Sequence, residues 1–161
     1  MRVSRGIRLS LLALSLAGLV ACTNNDDVTG TGGALATLAV DVPDTVQSGV
    51  PFDMSVSTTA VGVEGVHDGV VTATLPAPLQ ISDVTASAGT SATFSNGGGG
   101  STVTWTLNTL DSNTSSHVTI HAVGTLAPGA PSQNLTAQAS MVADGINDGE
   151  LVALDNFVLA P

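Results

Sequence analysis

From Ala34 onward the chain alternates apolar and polar positions with a period of two. Phe52, Met54 and Val56 alternate with Asp53, Ser55 and Ser57. Val71, Ala73 and Leu75 enclose Thr72 and Thr74, and Val103, Trp105 and Leu107 alternate with Thr102, Thr104 and Thr106. Val118, Ile120 and Ala122 alternate with His117, Thr119 and His121, and Leu135, Ala137, Ala139 and Met141 with Thr136, Gln138 and Ser140. This is the pattern of strands that bury one face, and the dominance of Thr and Val suits a pleated, half-buried surface. Turn-forming clusters separate the runs: Gln47-Ser48-Gly49, Gly62 to Gly69, Pro76-Ala77-Pro78, Asn96 to Gly100, Asp111-Ser112-Asn113 and Pro128-Gly129-Ala130-Pro131. Beyond the first twenty residues nothing repeats at 3.6. The pattern predicts an all-β domain over 34–161, a sandwich of seven to eight antiparallel strands whose two sheets pack face to face, with Trp105 as the largest core side chain.

The first 21 residues follow a different rule. Arg2, Arg5 and Arg8 precede an apolar run from Leu9 to Val20, which ends in Leu19-Val20-Ala21-Cys22. A basic start, a short apolar stretch and a small residue at a cut site are the layout of a secretory signal peptide. The run is shorter than the ~20 apolar residues that span a bilayer. With Cys22, the chain's one cysteine, directly after the small residue, the segment resembles the lipobox of bacterial lipoproteins. The resemblance implies cleavage of residues 1–21 and a covalent lipid on Cys22. Thr23, rather than Asp, follows the cysteine, which in enterobacterial lipoproteins implies the outer membrane, on either of its faces. Residues 22–33 are polar and Gly-rich and read as the lipidated Cys and a flexible linker, with a reach of roughly 20 Å.

Charge sharpens the picture. Loss of residues 1–21 would leave 140 residues, enough for one domain to bury roughly 68% of its unfolded surface. All 13 acidic residues follow Cys22, whereas Lys and Arg number three and lie in the leader. The mature chain would carry about −13, its only cations those that His67, His117 and His121 acquire. Nucleic acid and anionic small molecules are excluded as partners, because phosphate binding rests on Lys and Arg. Attraction to anionic lipid through a polybasic segment is excluded too, so the membrane is met through the lipid anchor.

The stretch from about Val46 to Phe157 resembles one copy of a bacterial immunoglobulin-like conserved-repeat domain, the family catalogued as domain of unknown function eleven. The likeness is carried by Val46-Gln47-Ser48-Gly49-Val50-Pro51-Phe52, by Leu75-Pro76-Ala77-Pro78-Leu79, by Val103-Thr104-Trp105-Thr106-Leu107 with Leu110, by Val118-Thr119-Ile120 and by Asp155-Asn156. Ala73, Asn113 and Ala137 stand where that family often has Asp, Gly and Asn. The resemblance implies an immunoglobulin-like fold and a role in spacing, cohesion or binding at the cell surface. It brings no catalytic residues.

Candidate chemistry is sparse. His117 and His121, four apart on one strand, lie on one face but roughly 13 Å apart, too far to share a metal. They read as solvated histidines, and His67 as a turn residue. No Gly-x-Ser-x-Gly elbow occurs, and no Lys or Arg is at hand to stabilise an anion, so the chain is not expected to be an enzyme. Asn96-Gly97-Gly98-Gly99-Gly100 lacks the Lys of a phosphate loop and reads as a flexible hairpin loop. The one group with a pull toward a ligand is acidic: Asp144, Asn147, Asp148, Glu150 and Asp155 supply the oxygens that calcium uses, without EF-hand spacing, and a solvated acidic turn is the plainer reading. No other cofactor is expected.

Function is therefore expected in one of two classes. The first is a membrane-anchored, non-catalytic surface module, structural or adhesive, that meets a protein or a glycan. The second is a periplasm-facing accessory lipoprotein of an assembly or secretion machine. A carbohydrate-binding module is weaker, since Phe52, Phe94, Trp105 and Phe157 are the only aromatics and alternation takes Phe52 and Trp105 into the core. Self-repulsion in an acid-only domain gives a first prediction. The melting temperature is expected to rise with ionic strength or added divalent cations. Calorimetry across a salt series checks this, and a flat or falling melting temperature would refute it.

Overall fold

The computed structural model describes residues 27–29, 36–61, 64–144, 146 and 150–161. The expected leader and Cys22 lie outside them. The described residues hold eleven strands: β1 (Asp27–Thr29), β2 (Ala36–Asp41), β3 (Thr45–Gln47), β4 (Pro51–Ala60), β5 (Val66–Pro76), β6 (Leu79–Ala86), β7 (Thr90–Gly97), β8 (Gly100–Leu110), β9 (Ser115–Gly124), β10 (Gln133–Asp144) and β11 (Leu151–Ala160). They form a five-stranded sheet, order β1-β2-β4-β9-β6, and a six-stranded sheet, order β3-β11-β10-β5-β8-β7. The all-β sandwich is as the alternation predicts, but three details differ. Eleven strands stand where seven to eight were expected, in part because β1 and β3 are three-residue pairings with no periodicity to betray them. One pairing is parallel: after β2 the chain crosses to the other sheet, where β3 runs alongside β11 with Val46 opposite Leu159. Part of the expected linker is strand, since Asp27–Thr29 pairs with β2, Asp27 opposite Leu38.

The core is what the inward positions of both sheets supply. Leu38, Met54, Val56, Val118 and Ile120 from one sheet meet Val71, Leu75, Val103, Trp105, Leu107, Met141 and Leu159 from the other, all buried. Trp105 is the largest fully buried side chain, as expected. In the six-stranded sheet a row of small side chains, Ala153–Ala139–Ala73, lies beside the bulkier row Leu151–Met141–Val71–Trp105. Thin and thick rows of this kind let the facing sheet interdigitate. Phe52 is only half-buried and meets Phe157 at a ring-centroid distance of 6.2 Å. Trp105 Nε1 and Ser116 Oγ are buried without a hydrogen-bond partner among the described residues.

Neutral hydrogen bonds join the sheets. The Asn96 amide on β7 reads the backbone of β6, its Oδ1 accepting from Ile81 N at 2.9 Å and its Nδ2 donating to Ile81 O at 2.8 Å. Ser101 Oγ, buried on β8, lies 3.0 Å from Leu79 O and 2.7 Å from Asn96 Oδ1 and shares its single proton between these two acceptors. Thr58 Oγ1 on β4 donates to Met141 Sδ on β10 at 3.3 Å. Asn96 meets Ile81 on the open side of β6, an edge strand, next to the register shift between Ile81 and Asp83.

The glycine run after Asn96 closes the β7–β8 hairpin with Gly97 opposite Gly100. Its members are not equivalent. A Cβ on Gly98 or Gly99 would meet nothing within 4 Å, whereas one on Gly100 would sit 2.4 Å from the Leu75 carbonyl oxygen, at a φ of +135°. Gly100→Ala is therefore expected to destabilise the domain by about 2 kcal/mol or more, with Gly98→Ala near neutral. Urea unfolding of the two variants measures the contrast, and equal midpoints would contradict it.

Candidate functional site

Of the expected acidic group, the described residues set Asp155 apart from Asp144 and Glu150. Asn147 and Asp148 lie outside the described residues. Asp144 is exposed at the end of β10, opposite His67, and Glu150 is exposed just before β11. Asp155 departs from them. It lies four residues into β11 from Leu151, roughly 13 Å along the strand, on the inward parity of that strand. There its Oδ2 accepts a 2.7 Å hydrogen bond from Val42 N. This carboxylate ties the six-stranded sheet to the chain leaving β2. Among the described residues no group of three His, Cys, Asp or Glu side chains could hold a metal ion.

The histidines also differ from expectation. His67 belongs to β5 rather than to a turn, beside Asp68, whose φ of +50° marks the irregularity there. His121 is paired: its Nδ1 lies 2.6 Å from Asp53 Oδ1, the residue opposite it on β4. Asp53 is exposed and His121 half-buried, so solvent screens the pair and it is worth at most about 1 kcal/mol. His117 Nδ1 lies 3.2 Å from Ser87 Oγ, and the same hydroxyl receives the His117 amide at 2.8 Å.

The outward positions of the two sheets make two unlike surfaces. On the five-stranded sheet one cross-strand row runs Asp53–His121–Asp83, and the next carries Asp41 beside Ser55 and Thr119. On the six-stranded sheet three successive rows are free of charge. They are Leu154–Gln138–Thr74–Thr102–Ser95, then Val152–Ser140–Thr72–Thr104–Thr93, then Val142–Val70–Thr106–Ser91. Charge returns at both borders: past the last row, where Asp144 lies opposite His67 across β10 and β5, and beyond the first row, where Asp44 is exposed. Leu154, Val70 and Val142 are 40%, 39% and 58% exposed on this face. Where β10 and β11 run out beyond the first row, a shallow cavity of about 260 Å³ is lined by Asp44, Asn134, Thr136, Asn156 and Phe157, with Thr136 Oγ1 donating to Asn156 Oδ1 at 2.6 Å. Sequence reasoning missed this face, although its signal is plain: the polar partners of the apolar positions in 70–74, 102–106 and 136–142 include no Asp or Glu.

No family model matches the chain, and no curated protein does. Solved structures match it in fold. The major pilin subunit BcpA of Bacillus cereus is 18% identical with a TM-score of 0.55, over 79% of this chain and 41% of the pilin. The major pilin SpaD of Corynebacterium diphtheriae is 13% identical with a TM-score of 0.52, over 78% of this chain and 35% of the pilin. A cohesin module from a glycoside hydrolase of Clostridium perfringens is 14% identical with a TM-score of 0.51, over 81% of this chain and 97% of the module. The chain thus matches less than half the length of either pilin and nearly all of the cohesin module. At these identities the likeness shows the fold, an immunoglobulin-like β-sandwich.

The role of Asp155 gives a prediction. Asp155→Ala is expected to cost roughly 1–2 kcal/mol by stranding the Val42 amide, seen as a lower urea midpoint, and to leave any heat of calcium binding unchanged. A calcium heat lost in this variant, with stability intact, would return Asp155 to a cation site.

Proposed function

We propose that this chain is a lipid-anchored envelope module without catalytic activity, a structural or adhesive contact domain of the bacterial cell surface. The observation that carries the reading is the charge-free outer face of the six-stranded sheet, set in a domain whose other outer face bears carboxylates. A broad hydroxyl-and-valine surface offers shape and apolar area to a partner and little for bond-making chemistry. The sandwich fold it shares with two major pilin subunits supports a structural role. In this reading residues 1–21 are the leader, Cys22 carries the lipid, Thr23 sends the chain to the outer membrane, and the domain is a single conserved-repeat copy. Asp144 and Glu150, with Asn147 and Asp148, remain the place to look for a bound calcium ion.

Two measurements test the reading. Cys22→Ala is expected to move the protein from the membrane fraction to the soluble fraction, and retention in the membrane would remove the anchor. A broad-specificity protease added to intact cells is expected to digest the domain, with trypsin ineffective because no Lys or Arg follows Arg8. Protection until the outer membrane is opened would favour the periplasm-facing accessory instead.

A further inference from the structure

We infer that the charge-free outer face of the six-stranded sheet is a contact between two copies of this chain. A two-fold pair sets each patch against itself, so the patch must tolerate its own charge. The acidic face of the five-stranded sheet fails this condition, because Asp41, Asp53 and Asp83 of one copy would oppose those of the next. The outer face of the six-stranded sheet meets it, with fourteen residues in three rows and no carboxylate among them.

Its size is sufficient. Five strands and three rows span roughly 24 Å by 20 Å, on the order of 500 Å² per copy and 1,000 Å² per pair, at the threshold of a specific interface. Its composition is graded in a useful way. Val142 and Val70 are direct cross-strand neighbours and Leu154 lies on the adjoining strand, so the apolar area concentrates over β11, β10 and β5. The Thr and Ser hydroxyls of β8 and β7 form the polar half, able to exchange hydrogen bonds with each other or with trapped water. Thr72 stands at the centre, in the middle row of the middle strand of the five. Asp144 borders the patch, so pairing brings acidic borders together and strengthens with salt, opposite to a contact made by ion pairs.

The test uses the full chain, purified in detergent, with one cysteine added at the centre of each outer face. Thr72→Cys marks the six-stranded sheet, Thr119→Cys the five-stranded sheet, and the parent chain gives the background from Cys22. A short bismaleimide is expected to join Thr72→Cys into a species of twice the chain mass, increasingly so at high salt, and to leave Thr119→Cys at background. Adding Val142→Asp, an exposed position where circular dichroism confirms the fold, should cut the cross-linked fraction about tenfold or more. Equal cross-linking from both faces, none from Thr72→Cys, or full cross-linking despite Val142→Asp would overturn the proposal. So would an adduct to a different protein in place of the doubled chain.

Discussion

One constraint shapes this molecule: after Arg8 the chain has no Lys or Arg with which to neutralise a carboxylate. An ionised carboxylate cannot be buried alone, so it must stay in water, accept from a backbone amide, or find a histidine. The described structure uses all three. Asp155, the one carboxylate on an inward strand position, is met by the Val42 amide. Asp53 is met by His121. Asp41, Asp44, Asp111 and Asp144 sit exposed at strand ends and in connections. Little is left for the broad middle of the larger sheet, and its neutrality inside and out is the other side of the same placement.

The same lack of cations determines how the sheets are held together. Apolar burial supplies the bulk of the stabilisation, but it is non-directional and does not fix register. Specificity falls to amides and hydroxyls. Asn96 imitates a neighbouring strand for Ile81, donating and accepting at one backbone position, and Ser101 braces it from β8. These bonds are worth about 1 kcal/mol each. They lie at the edge where β6 and β7 would otherwise be held only by their turn, and they keep the two edges from sliding. A charged pair there would have been screened by salt, whereas these bonds are not.

The central strands were legible in the sequence because each has one apolar and one polar face. The runs containing Met54, Trp105, Ile120 and Met141 lie in β4, β8, β9 and β10 as the alternation requires. The remaining strands break that rule for identifiable reasons. β6 loses its period at the Ile81–Asp83 bulge. β7 is an edge strand whose inward parity mixes Ala92 and Phe94 with the polar Thr90 and Asn96, and Phe94 is still 39% exposed. β11 is apolar on both faces through Val152 and Leu154, because its outer side belongs to the charge-free surface. Asp155 parts from the other acidic residues for a geometric reason. Asp144 and Asp155 are close in sequence, but β11 carries Asp155 away from the β10–β11 connection and turns it inward.

Scattered exposed apolar residues are ordinary on any protein surface, so Val70, Val142 and Leu154 mean little one at a time. Their arrangement carries more weight. A broad sheet face that exposes apolar side chains without charge is prone to association, and this chain has no Lys to place on it. It has instead a strongly negative remainder, including the carboxylates Asp41, Asp53 and Asp83 of the opposite face, which opposes the approach of that face of another copy. Bulk repulsion then does what local gatekeepers do elsewhere. It opposes stacking through the acidic face and leaves the outer face of the larger sheet free of that repulsion. The charge distribution that narrows this protein's chemistry thereby also concentrates its contacts onto the outer face of the six-stranded sheet.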